Sequence, residues 1–314
     1  MNKKRKILIT GASGFLGSHV TRRMVQDGHD VHALMRPSSD YKNLDGLKGK
    51  FTAHRGDLGD KEALAEIIEH IKPDGVFHFA ASMIQSGAHA SCEELVDVNI
   101  LGTLHLLEAL DSTRYDFFVY SGSFLEYGKK ERPMKESDIC EPIEFYGLTK
   151  LGGSLAVQQW GRLMHKPTIV LRLFTPYGPR MQEGRLVERL IKSALSKSEI
   201  AMTSPSIVRD FIFADDIADV CLEAAELAPT YKGEIFNLGS GVETNLEQLS
   251  ELIFRLTGSS AKIRWGAYGN VVYDADTIVA DMSKTWQHFS WRPRHTLEQG
   301  LQKTIQWIKS RSKP

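Results

Sequence analysis

The sequence contains little cysteine and no excess of either charge. Only three of its 314 residues are cysteines, Cys92, Cys140 and Cys221, and their odd number and unpaired spacing indicate neither a disulfide framework nor a zinc site. The 39 basic and 39 acidic side chains cancel formally, so no electrostatic argument favours nucleic acid or an anionic membrane as the main partner. We therefore expect a globular protein with reduced thiols, no metal centre and no nucleic-acid partner.

Long hydrophobic runs are also absent. No stretch approaches the roughly 18 apolar residues of a membrane span. The basic N-terminus leads into the apolar run Ile7–Ile9, which is too short for the core of a signal peptide and is soon followed by glycine. These features predict a cytoplasmic protein that does not associate with a membrane.

Short apolar runs alternate with longer segments of helical period over the first 175 residues. This alternation is typical of βαβ units and predicts an α/β fold with a Rossmann-type, doubly wound parallel sheet. Beyond that point glycines, prolines and charges increase, and the strands become isolated. We predict a dinucleotide-binding domain at 1–175 and a smaller mixed α/β substrate domain at 176–314, with a boundary that lets late segments rejoin the first domain.

A glycine triplet, G-x-x-G-x-x-G, stands between the first strand and the first helix. Glycine permits a tight turn and a close approach of backbone to a pyrophosphate, and the helix N-terminus offers free N–H groups. The triplet alone is a weak signal, but at the first strand–turn–helix it predicts dinucleotide binding. The expected contacts in this turn are Gly11, Ser13, Gly14, Phe15, Leu16 and Gly17.

The end of the second strand indicates which dinucleotide is bound. An acid about 20 residues after the last glycine would hold the NAD ribose, whereas an arginine would suit a 2′-phosphate. Here Arg36 is followed by Ser38 and Ser39, and no acid precedes Asp40. The sequence therefore favours NADP(H), with NAD(H) possible; the alternative role of Arg36 is a solvated surface residue.

Further cofactor contacts are expected beside the third and fourth strands. Asp57 could accept from the adenine amino group, or cap the next helix beside Asp60. Asn99 is a poor helix former inside a helix predicted over 93–110, and could bond to the neighbouring strand or lie on the surface. The further cofactor contacts that we predict are Asp57, Leu58, Phe79, Ala80, Ala81, Asn99 and Phe174.

The pair Tyr146 and Lys150 has the spacing of one helical turn. A nearby lysine charge favours the phenolate, so the phenol can exchange a proton with a substrate alcohol or carbonyl near neutral pH. A serine hydroxyl about two dozen positions earlier, at the end of the fifth strand, can orient the same oxygen. The pair alone arises often by chance, but after the glycine triplet and the serine strand end it predicts catalysis.

In this order the motifs resemble the extended short-chain dehydrogenases/reductases, in the nucleotide-sugar epimerase, dehydratase and ketoreductase group. The resemblance covers nearly the whole chain, from GASGFLG and RGDL through FVYSGSFLEYG and YGLTK to RLFTPYGPR and RDFIFADDIADV. It implies a catalytic triad of Ser123, Tyr146 and Lys150, in which Tyr146 and Lys150 also contact the cofactor. It further implies a nucleotide-sugar substrate and a homodimer formed through a helix pair.

The resemblance also implies the substrate contacts. Arg209 matches a residue that commonly contacts the nucleotide diphosphate, and its alternative is a salt bridge to Asp210 or Asp215. Thr175 stands where the family often has asparagine, and residues 266–281 lack an arginine often found there. The implied substrate contacts are Ser82, Ser123, Thr175 and Arg209.

The chain departs from the 4,6-dehydratases at the two positions after Ser123. Those enzymes carry a carboxylate there, whereas Phe124 and Leu125 cannot move a proton. Glu126 is one position late, and in an extended segment it would point to the opposite side. We therefore expect a ketoreductase acting on a nucleotide-linked keto-deoxysugar. The alternatives are a nucleotide-sugar 4-epimerase with tightly bound NAD and, less expected, a non-catalytic NADP-binding regulator.

Overall fold

The computed structural model describes residues 4–83, 91–267 and 276–311. The strands are β1 (Lys6–Thr10), β2 (Asp30–Met35), β3 (Thr52–Arg55), β4 (Gly75–His78), β5 (Phe117–Ser123), β6 (Thr168–Leu173), β7 (Thr175–Tyr177), β8 (Ile200–Ala201), β9 (Val208–Phe213), β10 (Glu234–Leu238), β11 (Glu243–Asn245), β12 (Ile263–Arg264) and β13 (Thr277–Ile278). The α-helices are α1 (Phe15–Gln26), α2 (Lys61–Ile71), α3 (Cys92–Val96), α4 (Gly102–Asp111), α5 (Phe145–Leu163), α6 (Leu186–Ser196), α7 (Ala214–Leu227), α8 (Leu246–Thr257), α9 (Ser283–His288) and α10 (Leu297–Arg311). Within the described ranges, no helix combines the length and the apolar character needed to cross a membrane.

A seven-stranded parallel sheet forms the centre of the molecule, in the order β10-β6-β5-β4-β1-β2-β3. The inner strands are apolar along their length because helices cover both faces of the sheet. The chain proceeds outward from β1 to β3 on one side and from β4 to β6 on the other, so a crevice opens where the direction reverses, at the carboxyl ends of β1 and β4. The predicted Rossmann-type, doubly wound sheet is confirmed.

A smaller mixed sheet lies beyond residue 175. Strand β9 pairs with β7 and β13 in parallel and with β11 in antiparallel orientation. Helices α6, α8 and α10 enclose a second hydrophobic core around fully buried leucines, which are Leu190, Leu249 and Leu301. The predicted smaller α/β part is confirmed.

Two later segments return to the first sheet. β10 pairs with β6, with Phe236 opposite Leu171. α7 packs on α1, where His19 Nδ1 lies 2.6 Å from Asp215 Oδ1. The division of the chain at residue 175 stays a prediction, and these contacts put residues 214–238 beside the dinucleotide-binding domain.

Candidate active site

One cavity of about 740 Å³ runs along the carboxyl ends of the parallel strands and into the smaller sheet. Since the carboxyl ends of parallel strands meet at one edge, residues distant in sequence reach the same space. Most of the candidate site residues selected from the sequence line this cavity, and their roles remain predictions. These are Gly11, Ser13, Gly14, Phe15, Leu16, Gly17, Arg36, Asp57, Leu58, Phe79, Ala80, Ala81, Ser123, Tyr146, Thr175 and Arg209.

The glycine turn leaves no room for side chains. Gly11 has φ +67°, and a Cβ on it would lie 2.6 Å from Ala80 N. A Cβ on Gly17 would collide with the carbonyl of Gly11. Gly14 is the N-cap of α1 and has no side chain to occupy the first N–H groups of the helix. This close-fitting turn, open to an anion at the helix N-terminus, fits the pyrophosphate of a dinucleotide.

Asp57 and Arg36 line the adenosine end expected of this cavity. Asp60, not Asp57, caps α2, since its Oδ1 accepts from Ala63 N at 3.0 Å. Asp57 Oδ1 accepts from Gly59 N at 2.9 Å. The loop after β2 is fixed by Arg55, which donates to the carbonyl of Arg36 at 2.8 Å and leaves the Arg36 side chain exposed.

Ser123 ends β5 and begins a 3₁₀ turn over Phe124–Glu126. Its hydroxyl accepts from Leu125 N at 3.2 Å, and its own N–H donates to Glu126 Oε1 at 2.7 Å. The expectation of an extended segment here is wrong, because this reciprocal cap bends the chain. Phe124 and Leu125 line the cavity, whereas Glu126 is completely buried below it.

Tyr146 lies in the first turn of α5, which Glu144 caps. The Glu144 carboxylate accepts from Tyr146 N at 2.9 Å and from Gly147 N. Burial raises the pKa of Tyr146 to about 12, against the opposing charge of Arg185. The phenol is therefore a weaker acid than the sequence argument expected, because desolvation disfavours the phenolate.

Lys150 follows one turn later and does not line the cavity. It is 1% exposed, and its Nζ donates to Tyr120 OH at 2.9 Å. Burial lowers the pKa of Lys150 to about 8, with the charge of Glu126 opposing the shift. Tyr120 thus binds the ammonium group in this structure, and the predicted cofactor contact of Lys150 stays a prediction.

Three other predicted contacts lie away from the cavity. Asn99 is buried, and its carboxamide binds Ser82 N at 2.8 Å, Ser82 O at 2.9 Å and Thr149 Oγ1 at 2.9 Å. The hydroxyl of Ser82 donates to Glu94 Oε1 at 2.8 Å. Phe174 is buried and its ring packs against Phe124, with 5.9 Å between centroids. Here each polar group is used within the protein and the phenyl ring belongs to the core, and the three ligand contacts stay predictions.

Asn99 faces inward through a local change of helix type. The helix predicted over 93–110 is divided into α3, a π-helical turn at Asp97–Leu101 and α4. The turn carries Asn99 to the backbone that leaves the sheet after β4, where the carboxamide replaces ladder hydrogen bonds. Asn99 is therefore a residue that holds the rim of the cavity.

The substrate side of the cavity is basic. Arg209 is 7% exposed and donates from Nη1 to Val208 O at 2.8 Å. The acids considered as its alternative partners have other contacts: Asp210 accepts from Ser240 N at 2.7 Å, and Asp215 pairs with His19. Thr175 Oγ1 is buried and finds no hydrogen-bond partner in the described part of the chain.

Sequence reasoning missed two arginines at the start of α6. Arg185 and Arg189 line the cavity, and Arg185 Nη2 lies 3.4 Å from Met83 Sδ. Their signal is a four-residue spacing just after the YGPR motif, which puts both on one helical face. They add positive charge to the cavity. Within the segment 266–281, where the resemblance expects an arginine, residues 268–275 lie outside the described part of the chain.

The fold, the glycine turn and the candidate catalytic side chains are those of an NAD-dependent enzyme of the extended short-chain dehydrogenase/reductase class. The family model for the NAD-dependent epimerase/dehydratase family matches residues 7–239, so the chain belongs to that family.

Relatives agree with this assignment over nearly full length. A UDP-glucuronate 4-epimerase of Thermodesulfobacterium geofontis is 30% identical, with 96% of this chain and 95% of the relative covered. A putative UDP-glucose 4-epimerase of Methanocaldococcus jannaschii is 29% identical, with 98% and 99% covered. The crystal structure of a Bacillus cereus UDP-glucuronic acid 4-epimerase, in complex with UDP-glucuronic acid and NAD, superposes with TM-score 0.87 at 27% identity, covering 97% of this chain and 99% of that one.

Proposed function

We propose that the protein is a nucleotide-sugar 4-epimerase that retains NAD. The observation that carries the proposal is the pairing of Ser123 and Tyr146 in one cavity with Phe124 and Leu125. The first pair can serve proton exchange at a sugar hydroxyl, and the second offers no acid or base for the elimination of water. The relatives named as 4-epimerases support the same reaction.

In this mechanism the protein residues handle the proton and the orientation of the sugar. Tyr146, as its phenolate, takes the proton of the sugar hydroxyl, and the phenol so formed later returns a proton to the same oxygen. Ser123 donates a hydrogen bond to that oxygen and fixes its position. The glycine turn would hold NAD, whose nicotinamide would supply reversible hydride transfer at the sugar carbon.

The ketoreductase expected from the sequence uses the same side chains but differs in its use of cofactor. A reductase consumes reduced dinucleotide with each turnover, whereas an epimerase has no net consumption. The named relatives favour the epimerase, and they do not support the preference for NADP inferred from Arg36. We therefore propose NAD as the resident dinucleotide.

The basic side of the cavity is proposed to hold the nucleotide diphosphate. Arg189 and Arg209 come from α6 and β9 and supply charge-assisted donors for phosphate oxygens. Arg185 lies close enough to Tyr146 for its charge to lower the pKa of that phenol, so we assign it to the sugar end.

We also propose a homodimer. Large apolar side chains are exposed on α3, the π-helical turn and α5, namely Val96, Leu101, Leu148 and Leu155. Because α3 and α5 pack side by side, these side chains belong to one two-helix surface suited to a second copy of the chain. Light scattering of the purified protein, and of a Leu148→Lys, Leu155→Lys double variant, tests this: the parent should have twice the mass of the double variant.

The reaction is tested on the purified protein in two steps. Nucleotides released by denaturation are identified by mass spectrometry, and NAD is expected in near-stoichiometric amount. The protein is then incubated with UDP-glucose and UDP-glucuronate, and proton NMR should show the C4 epimer without added cofactor. Stoichiometric consumption of NADPH with a 4-keto sugar nucleotide, and no epimer, would establish the reductase instead.

A further inference from the structure

We propose that Tyr120 is a positioning residue for Lys150, whose ammonium group it holds at the buried side of α5. The proposal rests on the proposed function and on the catalytic role that the family resemblance implies for Lys150. It adds a residue on β5 that does not line the cavity and that the sequence motifs did not indicate.

The contact between the two side chains is direct and enclosed. Lys150 Nζ donates to Tyr120 OH at 2.9 Å and lies 4.1 Å from the centre of the phenol ring. Tyr120 is completely buried and Lys150 is 1% exposed. An ammonium group has three donors, and among the described residues Tyr120 takes one of them.

Helix α5 is adapted to this contact at Gly153. A Cβ on Gly153 would collide with the phenol oxygen of Tyr120, and it would lie 2.7 Å from Asn99 O. Glycine therefore allows the helix to approach β5 closely enough for the residue one turn earlier, Lys150, to reach the phenol.

The phenol of Tyr120 is itself held by a hydrogen-bond network. The side chain of Thr103 hydrogen-bonds to Tyr120, donates to Asn99 O at 2.8 Å and lies 3.1 Å from His78 Nε2. His78 is itself buried against Thr10, so this network ends in the interior of the protein. It therefore fixes the phenol that accepts the hydrogen bond of Lys150.

The protonation of Lys150 depends on groups from several elements. The phenol of Tyr120 stays neutral because burial raises its pKa well above 10, so it accepts a hydrogen bond from either form of the lysine. The phenol accepts a stronger hydrogen bond from the ammonium form than from the neutral amine. Removing the Tyr120 hydroxyl should therefore lower the pKa of Lys150 by about one unit. The groups that face Lys150 are Tyr120 on β5, His78 on β4 and Glu126 in the 3₁₀ turn.

The test compares Tyr120→Phe with Tyr127→Phe. Tyr127 is an equally buried tyrosine whose hydroxyl donates to Asn237 at 2.6 Å, away from Lys150. Urea midpoints are measured at about pH 7, where Lys150 is charged, and at about pH 9.5, where it is neutral. Relative to the parent, Tyr120→Phe should lower the urea midpoint more at about pH 7 than at about pH 9.5. Tyr127→Phe should lower it by the same amount at both pH values. Gly153→Ala, which keeps the phenol but displaces it, should resemble Tyr120→Phe.

The second arm uses the reaction. The alkaline limb of kcat should move to lower pH by about one unit in Tyr120→Phe and stay in place in Tyr127→Phe. If Tyr120→Phe lowers the urea midpoint equally at both pH values and leaves the alkaline limb of the kcat profile unchanged, the proposal is overturned. Tyr120 would then be a packing residue. The urea arm needs no substrate, so it stands even if the protein proves not to be an epimerase.

Discussion

Glu126 and Arg172 form an ion pair inside the protein, with Arg172 Nε donating to Glu126 Oε2 at 2.7 Å and both side chains at most 2% exposed. The same carboxylate accepts from Ser123 N at 2.7 Å and from Ser154 Oγ at 2.8 Å. One buried charge thus links the end of β5, β6 and α5. Its position fixes the backbone of Ser123, and its charge opposes the loss of the Lys150 proton.

Replacing Glu126 with glutamine should lower the free energy of unfolding by about 3–5 kcal/mol, because the Arg172 charge stays buried without its partner. Urea unfolding at neutral pH measures this cost. The control is Glu69→Gln, which breaks the exposed pair with Lys72 and should leave stability nearly unchanged. Similar small losses in both variants would contradict the structural role of the buried pair.

Tyr146→Phe should reduce kcat by about 10²–10⁴ because it removes the group that exchanges the proton, while the amount of bound dinucleotide stays the same. Initial rates and nucleotide release measure the two effects. The matched variant is Tyr231→Phe, whose hydroxyl lies 3.0 Å from His288 Nδ1 and away from the cavity. A Tyr146→Phe enzyme within a few-fold of the parent would refute the proposed proton transfer.

Local patterns were sufficient to predict the sheet, the glycine turn and the order of Ser123, Tyr146 and Lys150. Alternation and spacing act over one strand or one helical turn, so the sequence contains them directly. Only the poor helix former Asn99 indicated that the helix predicted over 93–110 would be divided. The π-helical turn adds one residue, which leaves the hydrophobic pattern nearly intact.

Contacts between distant segments were not predictable from such patterns. Glu126 meets Arg172 across 46 positions, and Lys150 meets Tyr120 across 30. Only the packed sheet brings these groups together, and neither pair has a characteristic spacing.

His78 should make the protein sensitive to acid. Burial lowers its pKa to about 3, and its ring is held by Thr10 and Thr103. In the unfolded chain the pKa is about 6.5, so between these values the unfolded state binds the proton and the folded state does not. The stability present above pH 6.5 is therefore lost as the pH falls toward 3, by up to about 1.4 kcal/mol per pH unit.

Urea unfolding of the parent and of His78→Gln over this range checks the prediction. The variant should be less stable at neutral pH but should have a shallower loss on acidification. His70→Gln, which changes an exposed histidine, should keep the slope of the parent. Parallel curves for His78→Gln and the parent would show that other groups govern acid unfolding.

Arg36→Ala should distinguish the two dinucleotides. If NAD is the resident cofactor, the parent binds NAD more tightly than NADP, and removing the exposed guanidinium leaves NAD affinity nearly unchanged. Affinity for NADP should fall by about 10-fold, since a hydrogen bond to a phosphate contributes roughly 1.5–3 kcal/mol and the site is open to water. Titration of both dinucleotides into nucleotide-free protein measures the four affinities. Tighter binding of NADP than of NAD by the parent would restore the preference inferred from the sequence.

Thr175→Val should separate substrate binding from stability. Thr175 lines the cavity, and its Oγ1 is buried without a partner among the described residues. Removing this unsatisfied group should leave the free energy of unfolding unchanged or higher. If the hydroxyl binds the sugar nucleotide, KM should rise about 10-fold, the effect of losing about 1.4 kcal/mol. The control is Thr285→Val, whose buried hydroxyl donates to Asn237 O at 2.6 Å: it should lose about 1–3 kcal/mol of stability and keep its KM. An unchanged KM in Thr175→Val would remove this residue from the substrate site, because a free buried hydroxyl facing bound sugar must either gain a hydrogen bond there or weaken binding.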